Sequence, residues 1–257
     1  MCKDDKGKYM ISLKELFEHY QLEGLEKHQF KTEITHPFHR MRYIYLQQLI
    51  HKHAKGLVLD VGCAEGWFAL WMPYHVEYVG IDISVPKIKR AIYEVKRKGK
   101  IAEFIVCSFD NLPFKEEVFN TIIWSEGPEH AINPERIFRE FKKLLKDSGI
   151  IIISTMGLDP PSWYKFLRQM LRQWEKDRLE EIKWGHVSTF TKSSLQLLIT
   201  KYFKLKEVVE IRPLFLIPIR KLQNLFEHLV LKLTGRYVGS AWPGFGCIFI
   251  VASKSGD

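Results

Sequence analysis

From residue 57 onward, short apolar runs alternate with stretches whose apolar positions recur at helical spacing. The runs fall at 57–61, 76–81, 102–106, 120–124 and 149–154. The first four begin about twenty residues apart, the repeat length of a strand–helix unit in a parallel sheet. The intervening pattern predicts helices over 66–72, 85–98 and 134–146. Ser84 with Pro86, and Asn133 with Pro134, supply helix-start signals, and Gly149 a stop before the next strand. That strand, GIIIIST from Gly149 to Thr155, carries four consecutive isoleucines and so needs apolar cover on both faces. Upstream, 12–54 reads as helical, with Leu13, Leu16 and Phe17 on one face and Met41, Ile44, Tyr45, Leu49 and Ile50 on another.

Beyond Thr155 the rhythm changes. Trp163, Phe166, Leu167, Met170, Leu171 and Trp174 form one stripe, which predicts an amphipathic lid helix packed on the edge of the core. A helix over 191–201 and strands over 204–211 and 245–252 follow. The pattern divides the chain into an N-terminal helical region, 1–55, and an α/β domain, 56–257, with a helical lid at 160–184 and an insertion at 212–244.

Composition narrows this reading. The 257 residues are 46% hydrophobic, ample for one large core. The cysteines Cys2, Cys63, Cys107 and Cys247 form no C-x-x-C pair. That argues against a zinc site and a disulfide framework, so no metal and a reducing, cytoplasmic compartment are expected. The first ten residues lack the apolar stretch of a signal peptide, and no apolar run approaches the roughly 18 residues of a membrane span. The net charge of +9 is uneven: seven basic residues and one acid, Glu94, lie between Lys87 and Lys100. Such a run reads first as a solvated helix face. It also admits an anionic partner, although Tyr93 is its only aromatic residue and single-strand nucleic-acid binding favours aromatic interleaving.

The chemistry concentrates where the first strand turns into the first helix. VLDVGCAEG, Val58 to Gly66, places Asp60 at the strand end and Gly62 and Gly66 in the turn. Gly62 permits a tight turn and leaves room for a ligand, and Gly66 allows close backbone approach at the helix start. Asp82, 22 residues after Asp60, ends the second run, where an acid can accept two hydrogen bonds from a ribose. Together these residues describe a nucleoside pocket. A dinucleotide fingerprint would need G-x-G-x-x-G. Here the turn reads G-C-A-E-G, and the anionic Glu65 suits a cationic ligand better than a pyrophosphate.

VLDVGCAEG followed by VGIDIS resembles the glycine-rich loop and acidic second strand of class I S-adenosylmethionine-dependent methyltransferases. CSFDNLPFKEEVFNTIIWSEGPEH is similar to the corresponding stretch of the type 11, ubiquinone/menaquinone-methyltransferase-like group, SGIIIIST to its fifth strand, and HVSTFTKSSLQLLITKYFKL to the segment before its sixth. The resemblance covers about residues 56–210, with 245–252 as its completion. It implies a three-layer Rossmann-like fold whose seven-stranded, mostly parallel sheet has an antiparallel last strand. It implies S-adenosyl-L-methionine as cofactor, with Asp60, Gly62, Cys63, Ala64, Glu65 and Gly66 around its methionine part and Asp82 on the ribose. Ile83 would pack on the adenine, Ser108, Phe109 and Asp110 would meet its edge, and Trp124 and Ser125 would close the pocket. Ser108 and Phe109 stand where the group more often has an aspartate, which Asp110 could replace; Asn120 stands where it has the aspartate of F-D and is expected to be structural.

Methyl transfer from a sulfonium is an in-line displacement that asks mainly for alignment and exclusion of water. A base helps when the acceptor is a hydroxyl or a protonated amine. The candidates are His130 and His186, then Glu126; for the two histidines the alternative is an ordinary structural role, His130 satisfying a loop and His186 ordering its own turn. LDPPS, Leu158 to Ser162, looks like the D-P-P-Y signature of enzymes that methylate nucleic-acid amines, but follows the fifth strand rather than the fourth. The expected acceptor is a small molecule, a lipid or a lipid-linked glycan. The alternatives are an RNA methyltransferase and a non-catalytic binding scaffold. Leu222, Leu225, Phe226, Leu229 and Leu233 recur at helical spacing near Arg220, Lys221, Lys232 and Arg236. This leaves open a peripheral membrane contact through 213–236, a buried domain edge or an oligomer contact.

Overall fold

The computed structural model describes residues 2–3, 9–10, 37–158, 162–170, 185–211, 222, 225, 229, 233 and 245–254. Seven strands form one sheet: β1 (Leu57–Val61), β2 (Glu77–Asp82), β3 (Glu103–Val106), β4 (Phe119–Ser125), β5 (Leu145–Leu158), β6 (Phe203–Ile211) and β7 (Phe245–Lys254). Their order is β3-β2-β1-β4-β5-β7-β6. The strands from β1 to β5 pair in parallel, while β7 runs antiparallel to both its neighbours, β5 and β6. This is the three-layer sheet that the resemblance implies.

Six helices accompany the sheet among the described residues: α1 (Pro37–His53), α2 (Trp67–Trp71), α3 (Val85–Arg97), α4 (Pro134–Leu144), α5 (Ser162–Met170) and α6 (Lys192–Thr200). The isoleucine run shows how the layers form. Ile151 and Ile153 face a cluster with Leu59, Ile122, Phe138 and Phe141, whereas Ile150 and Ile152 face one with Val58, Ile123, Leu46 and Ile50. Strand alternation thus sends one sequence of identical side chains into two cores, both closed to water.

Capping follows the sequence signals in part. Asn133 Oδ1 accepts the Arg136 N–H at 3.1 Å, and Thr191 with Ser194 closes a reciprocal capping box on α6. Ser84 stands at the α3 cap position without a side-chain cap bond. Asn120 has the structural role expected of it: its Oδ1 accepts the Leu57 N–H at 3.1 Å and so holds the start of β1.

Three expectations change. β5 begins at Leu145, ahead of the predicted 149, because Leu145 already pairs with Phe119 and the register then shifts before Thr121 meets Ile150. In the N-terminal region, Cys2–Lys3 pairs antiparallel with Tyr9–Met10, a two-residue ladder, so the region is not wholly helical. Its predicted helical part at 12–36 lies outside the described residues. In the lid, α5 leaves Phe166 and Met170 64% and 67% exposed, so these two do not pack on the core edge. The rest of 171–184, with Leu171 and Trp174, and most of 212–244 also lie outside the described residues.

Candidate functional site

The glycine loop leaves β1 at the carboxyl edge of the sheet. Gly62 and Cys63 both donate backbone N–H bonds to Ile81 O at 2.8 Å, which folds the loop against the end of β2. Gly62, Ala64 and Gly66 all take positive φ, at 75°, 47° and 76°. The two glycines are needed for different reasons. A side chain on Gly62 would meet no atom within 4 Å, so this position faces open space that a ligand can use. A side chain on Gly66 would come within 2.9 Å of the Phe104 ring and 3.0 Å of Ala91 Cβ, so this glycine serves the packing of α2 against its neighbours.

Asp82 organises the far side of that space. Its Oδ2 accepts the Ala64 N–H at 3.0 Å and its Oδ1 accepts the Ser84 N–H at 2.8 Å. A carboxylate has about four lone-pair sites, so a single group can serve several donors at once. A carboxylate fixed at the strand end, beside the open space at Gly62, fits a ribose diol. The Cys107 N–H bonds to Asp82 O at 3.0 Å and brings the loop after β3 alongside. There Ser108 Oγ accepts the Asp110 N–H, and Arg136 donates to Asp110 O. Ile83, Ser108, Phe109 and Asp110 are all half-buried near this edge.

Other predicted residues lie deeper. Asp60 is 1% exposed and accepts a hydrogen bond from the Tyr78 hydroxyl; burial pushes its carboxyl up to about 7. Cys63 is buried beneath the loop, and burial raises its thiol well above the ordinary range. Glu65 is also buried and receives Arg90 Nη1 of α3 at 2.9 Å. Its charge therefore faces an arginine of the same chain. Trp124 is wholly buried, with its ring against Phe109, Phe138 and Phe141, and so belongs to the core rather than to a pocket wall. The basic run of 87–100 is partly turned inward as well: Lys87 is buried and Arg90 holds Glu65.

The three residues put forward as bases come together after β4. Ser125 Oγ lies 2.9 Å from Ser154 Oγ, and Glu126 Oε1 accepts from Ser154 Oγ at 3.0 Å. Glu126 Oε2 is 2.7 Å from Arg42 Nη1 of α1, an ion pair that is largely buried. A 3₁₀ turn, Pro128–His130, follows. Val187 and Ser188 donate to Glu129 O at 2.8 and 2.9 Å, and Ser188 Oγ donates to Ala131 O at 2.7 Å. These bonds fasten 187–188 to the turn and set the His186 and His130 rings edge to face, 4.9 Å between centroids. Burial, then the neighbouring His130, lowers His186 to about 3, so its imidazole is neutral at physiological pH.

Sequence reasoning missed Glu129, Arg42, Arg90 and Tyr78. Glu129 had a signal, since it stands three residues after Glu126 and directly before His130. It is 3% exposed, and burial beside Glu126 raises its carboxyl well above the usual range. The two arginines and Tyr78 act across the fold and leave no local pattern.

This fold, with a glycine-turn hollow next to an acid ending β2, defines the class I methyltransferases. Residues 28–202 match the family described as methyltransferase domain, and the chain belongs to that family. An uncharacterized protein of Methanocaldococcus jannaschii is 35% identical over 105 residues, covering 41% of this chain and 47% of its own. The ubiquinone biosynthesis O-methyltransferase of Histophilus somni is 28% identical over 136 residues, 49% of this chain and 57% of its own. The chain thus spans about half the length of these relatives. In fold it is similar to the N-methyltransferase NodS of Bradyrhizobium japonicum, crystallised with S-adenosyl-L-homocysteine: TM-score 0.62, 16% identity, covering 93% of this chain and 98% of that one.

Proposed function

We propose that the chain moves a methyl group from S-adenosyl-L-methionine to a small-molecule acceptor. The observation that carries this reading is the pairing of open space at Gly62 with an Asp82 carboxylate fixed by two backbone donors. The cofactor supplies an activated methyl on a cationic sulfur, with a neutral leaving group. Asp82 holds the ribose hydroxyls, and Ile83 with Ser108–Asp110 borders the base. The Ser125–His130 turn and the 185–188 segment stand over the same sheet edge, because β1 and β4 are neighbours. They hold the acceptor and exclude water. Burial opposes protonation of His186, so it borders the acceptor as a neutral hydrogen-bonding group; His130 is the candidate to take a proton, and Glu126 is engaged by Arg42 and serves to position the turn.

Isothermal titration with S-adenosyl-L-homocysteine tests the reading. The intact chain gives saturable heat, Asp82→Ala abolishes most of it, and NAD gives none. Comparable heat from the variant, or from NAD instead, rules the reading out.

The acceptor is proposed to be lipid-like and met at a membrane surface. Leu222, Leu225, Leu229 and Leu233 are helical, share one face by their spacing, and are 49–73% exposed. Arg220, Lys221, Lys232 and Arg236 flank them in sequence, and the chain carries +9 overall. An exposed leucine stripe beside cations is complementary to an anionic bilayer. No helix among the described residues is long and apolar enough to cross one. The relative that methylates oxygen in ubiquinone biosynthesis supports the same acceptor class. Free Cys63, Cys107 and Cys247 suit a reducing, cytoplasmic side of that surface.

A further inference from the structure

We propose that the outer face of α3, with the two loops beside its end, binds single-stranded nucleic acid. Methyl transfer makes no use of this surface. β2 and β3 are parallel, so α3 carries the chain from the cofactor edge, just after Asp82, back to the opposite edge of the sheet. Its inner face buries Ile88, Ala91 and Val95. Its outer face carries Lys89, Tyr93, Lys96 and Arg97, at the three- and four-residue steps that make neighbours on a helix. All four are exposed. A solvated helix face ordinarily alternates the sign of its charges. From Lys87 to Lys100 the only acid is Glu94, and Arg97 Nη2 engages it at 2.6 Å.

Within this run Tyr93 is the one aromatic residue, and the fold adds a second from another segment. Tyr74 lies between α2 and β2, and Lys100 between α3 and β3, so both stand at the edge away from the glycine hollow. Gly99, φ 67°, turns the chain at the end of α3, and the Lys100 N–H returns to Val95 O at 3.1 Å. Lys100 Nζ then sits 3.8 Å from the centre of the Tyr74 ring and donates to Met72 O at 3.2 Å. The Tyr74 side chain is 92% exposed, so the other face of its ring is open. Tyr93 is 64% exposed, about one helical turn from Lys89 on one side and from Arg97 on the other. Each ring is a flat platform with cations beside it. Ile101, 95% exposed, adds apolar surface next to Lys100.

A single strand offers bases that stack on flat rings and phosphates that meet cations. This surface supplies both, in alternation. An acidic peptide would use the cations and leave the ring faces idle. A duplex keeps its base faces inside the stack. Every base has a π-face, so binding here is tolerant of sequence. Lys89, Lys96, Lys98 and Lys100 meet about four phosphates, which sets a slope of about −3 for log K against log salt.

The test is fluorescence anisotropy of a labelled mixed-sequence strand of about twelve nucleotides, as RNA and as DNA, titrated with the full chain. Saturable binding is expected, with a Kd below about 100 µM at physiological salt and the slope just given. Tyr74→Ala and Tyr93→Ala each weaken it by about fivefold or more with the slope unchanged, whereas Tyr74→Phe binds like the parent, since stacking needs the ring and not the hydroxyl. Lys96→Gln/Lys98→Gln reduces the slope by about 1.4. These side chains are exposed, so the variants keep the fold and the affinity for S-adenosyl-L-homocysteine. Tighter binding of the RNA or of the DNA strand names the source, and either supports the surface. Tyrosine variants that bind like the parent overturn it. So does equal binding of a duplex, or polyglutamate that competes as well as unlabelled strand. Strand binding without heat from S-adenosyl-L-homocysteine leaves the surface standing and removes the methyl-transfer reading. The converse result removes the surface alone.

Discussion

Ala64 occupies a left-handed backbone position, φ 47°, between two glycines that share the conformation. An L-residue there costs about 1–2 kcal/mol, while glycine costs about 0.5–1 kcal/mol through its greater freedom in the unfolded chain. Strain relief is the larger effect, so Ala64→Gly is expected to stabilise the protein by about 0.5–1 kcal/mol, read from the urea midpoint. Asp60 gives a pH prediction. Its folded-state pKa of about 7 stands above the unfolded 3.8, so the folded chain binds the extra proton between those values. Stability from this group is fully present below the lower value and is lost as pH rises through the upper one. Asp60→Asn is expected to flatten that decline in denaturation curves recorded from pH 4 to 8. The spacing of Gly62, Gly66 and Asp82 was legible in the sequence because it is local. The partners of Asp60 and Glu65 were not: Tyr78 and Arg90 lie 18 and 25 residues away and meet them only after β2 and α3 have packed.

At the scale of elements, most strand and helix positions follow from periodicity, since each buries one face or both. The early start of β5 does not, because Ser148 with φ 58° and the register shift opposite Phe119 answer to β4, not to their own pattern. The docking of α1 depends on polar contacts in addition to its apolar face: Lys52 and His53 meet Glu207 of β6 near the solvent, and a more deeply buried pair lies at the other end. Arg42, 6% exposed, reaches Glu126 at the sheet edge. Removing one member of a buried pair strands the other charge, at about 3–5 kcal/mol when burial is complete. Glu126 keeps some contact with solvent, so Arg42→Met is expected to cost about 2–3 kcal/mol. Adding Glu126→Gln recovers part of that loss, and a double-mutant cycle in urea measures the coupling. Equal losses for the single and double variants would show that no stranded Glu126 charge underlies the cost of removing Arg42.

Over the whole molecule, what escaped the sequence is what the topology assembles. His130 and His186 are 56 positions apart in sequence, and bonds between the 185–188 segment and the Glu129–Ala131 turn bring them together. The reversed direction of β7 was likewise legible through family resemblance and not through alternation, which is blind to strand polarity. The leucine stripe was read from spacing, but whether it was covered could be learned only from its exposure. With the four leucines open and a positive net charge, co-sedimentation with vesicles containing phosphatidylglycerol is expected. It weakens as salt rises and falls further in Leu225→Ser/Leu229→Ser. Equal pelleting with neutral vesicles, or none at low salt, would remove the membrane from the account.

The position of β7 also bears on biosynthesis. It is the last of the seven strands to leave the ribosome, yet it is inserted between β5 and β6. Until it emerges, both older strands present bare hydrogen-bonding edges to the crowded cell, the condition under which chains stick to one another. A nascent polypeptide stalled short of Phe245 is therefore a natural client for a chaperone, and the sheet cannot close until that final stretch has been translated.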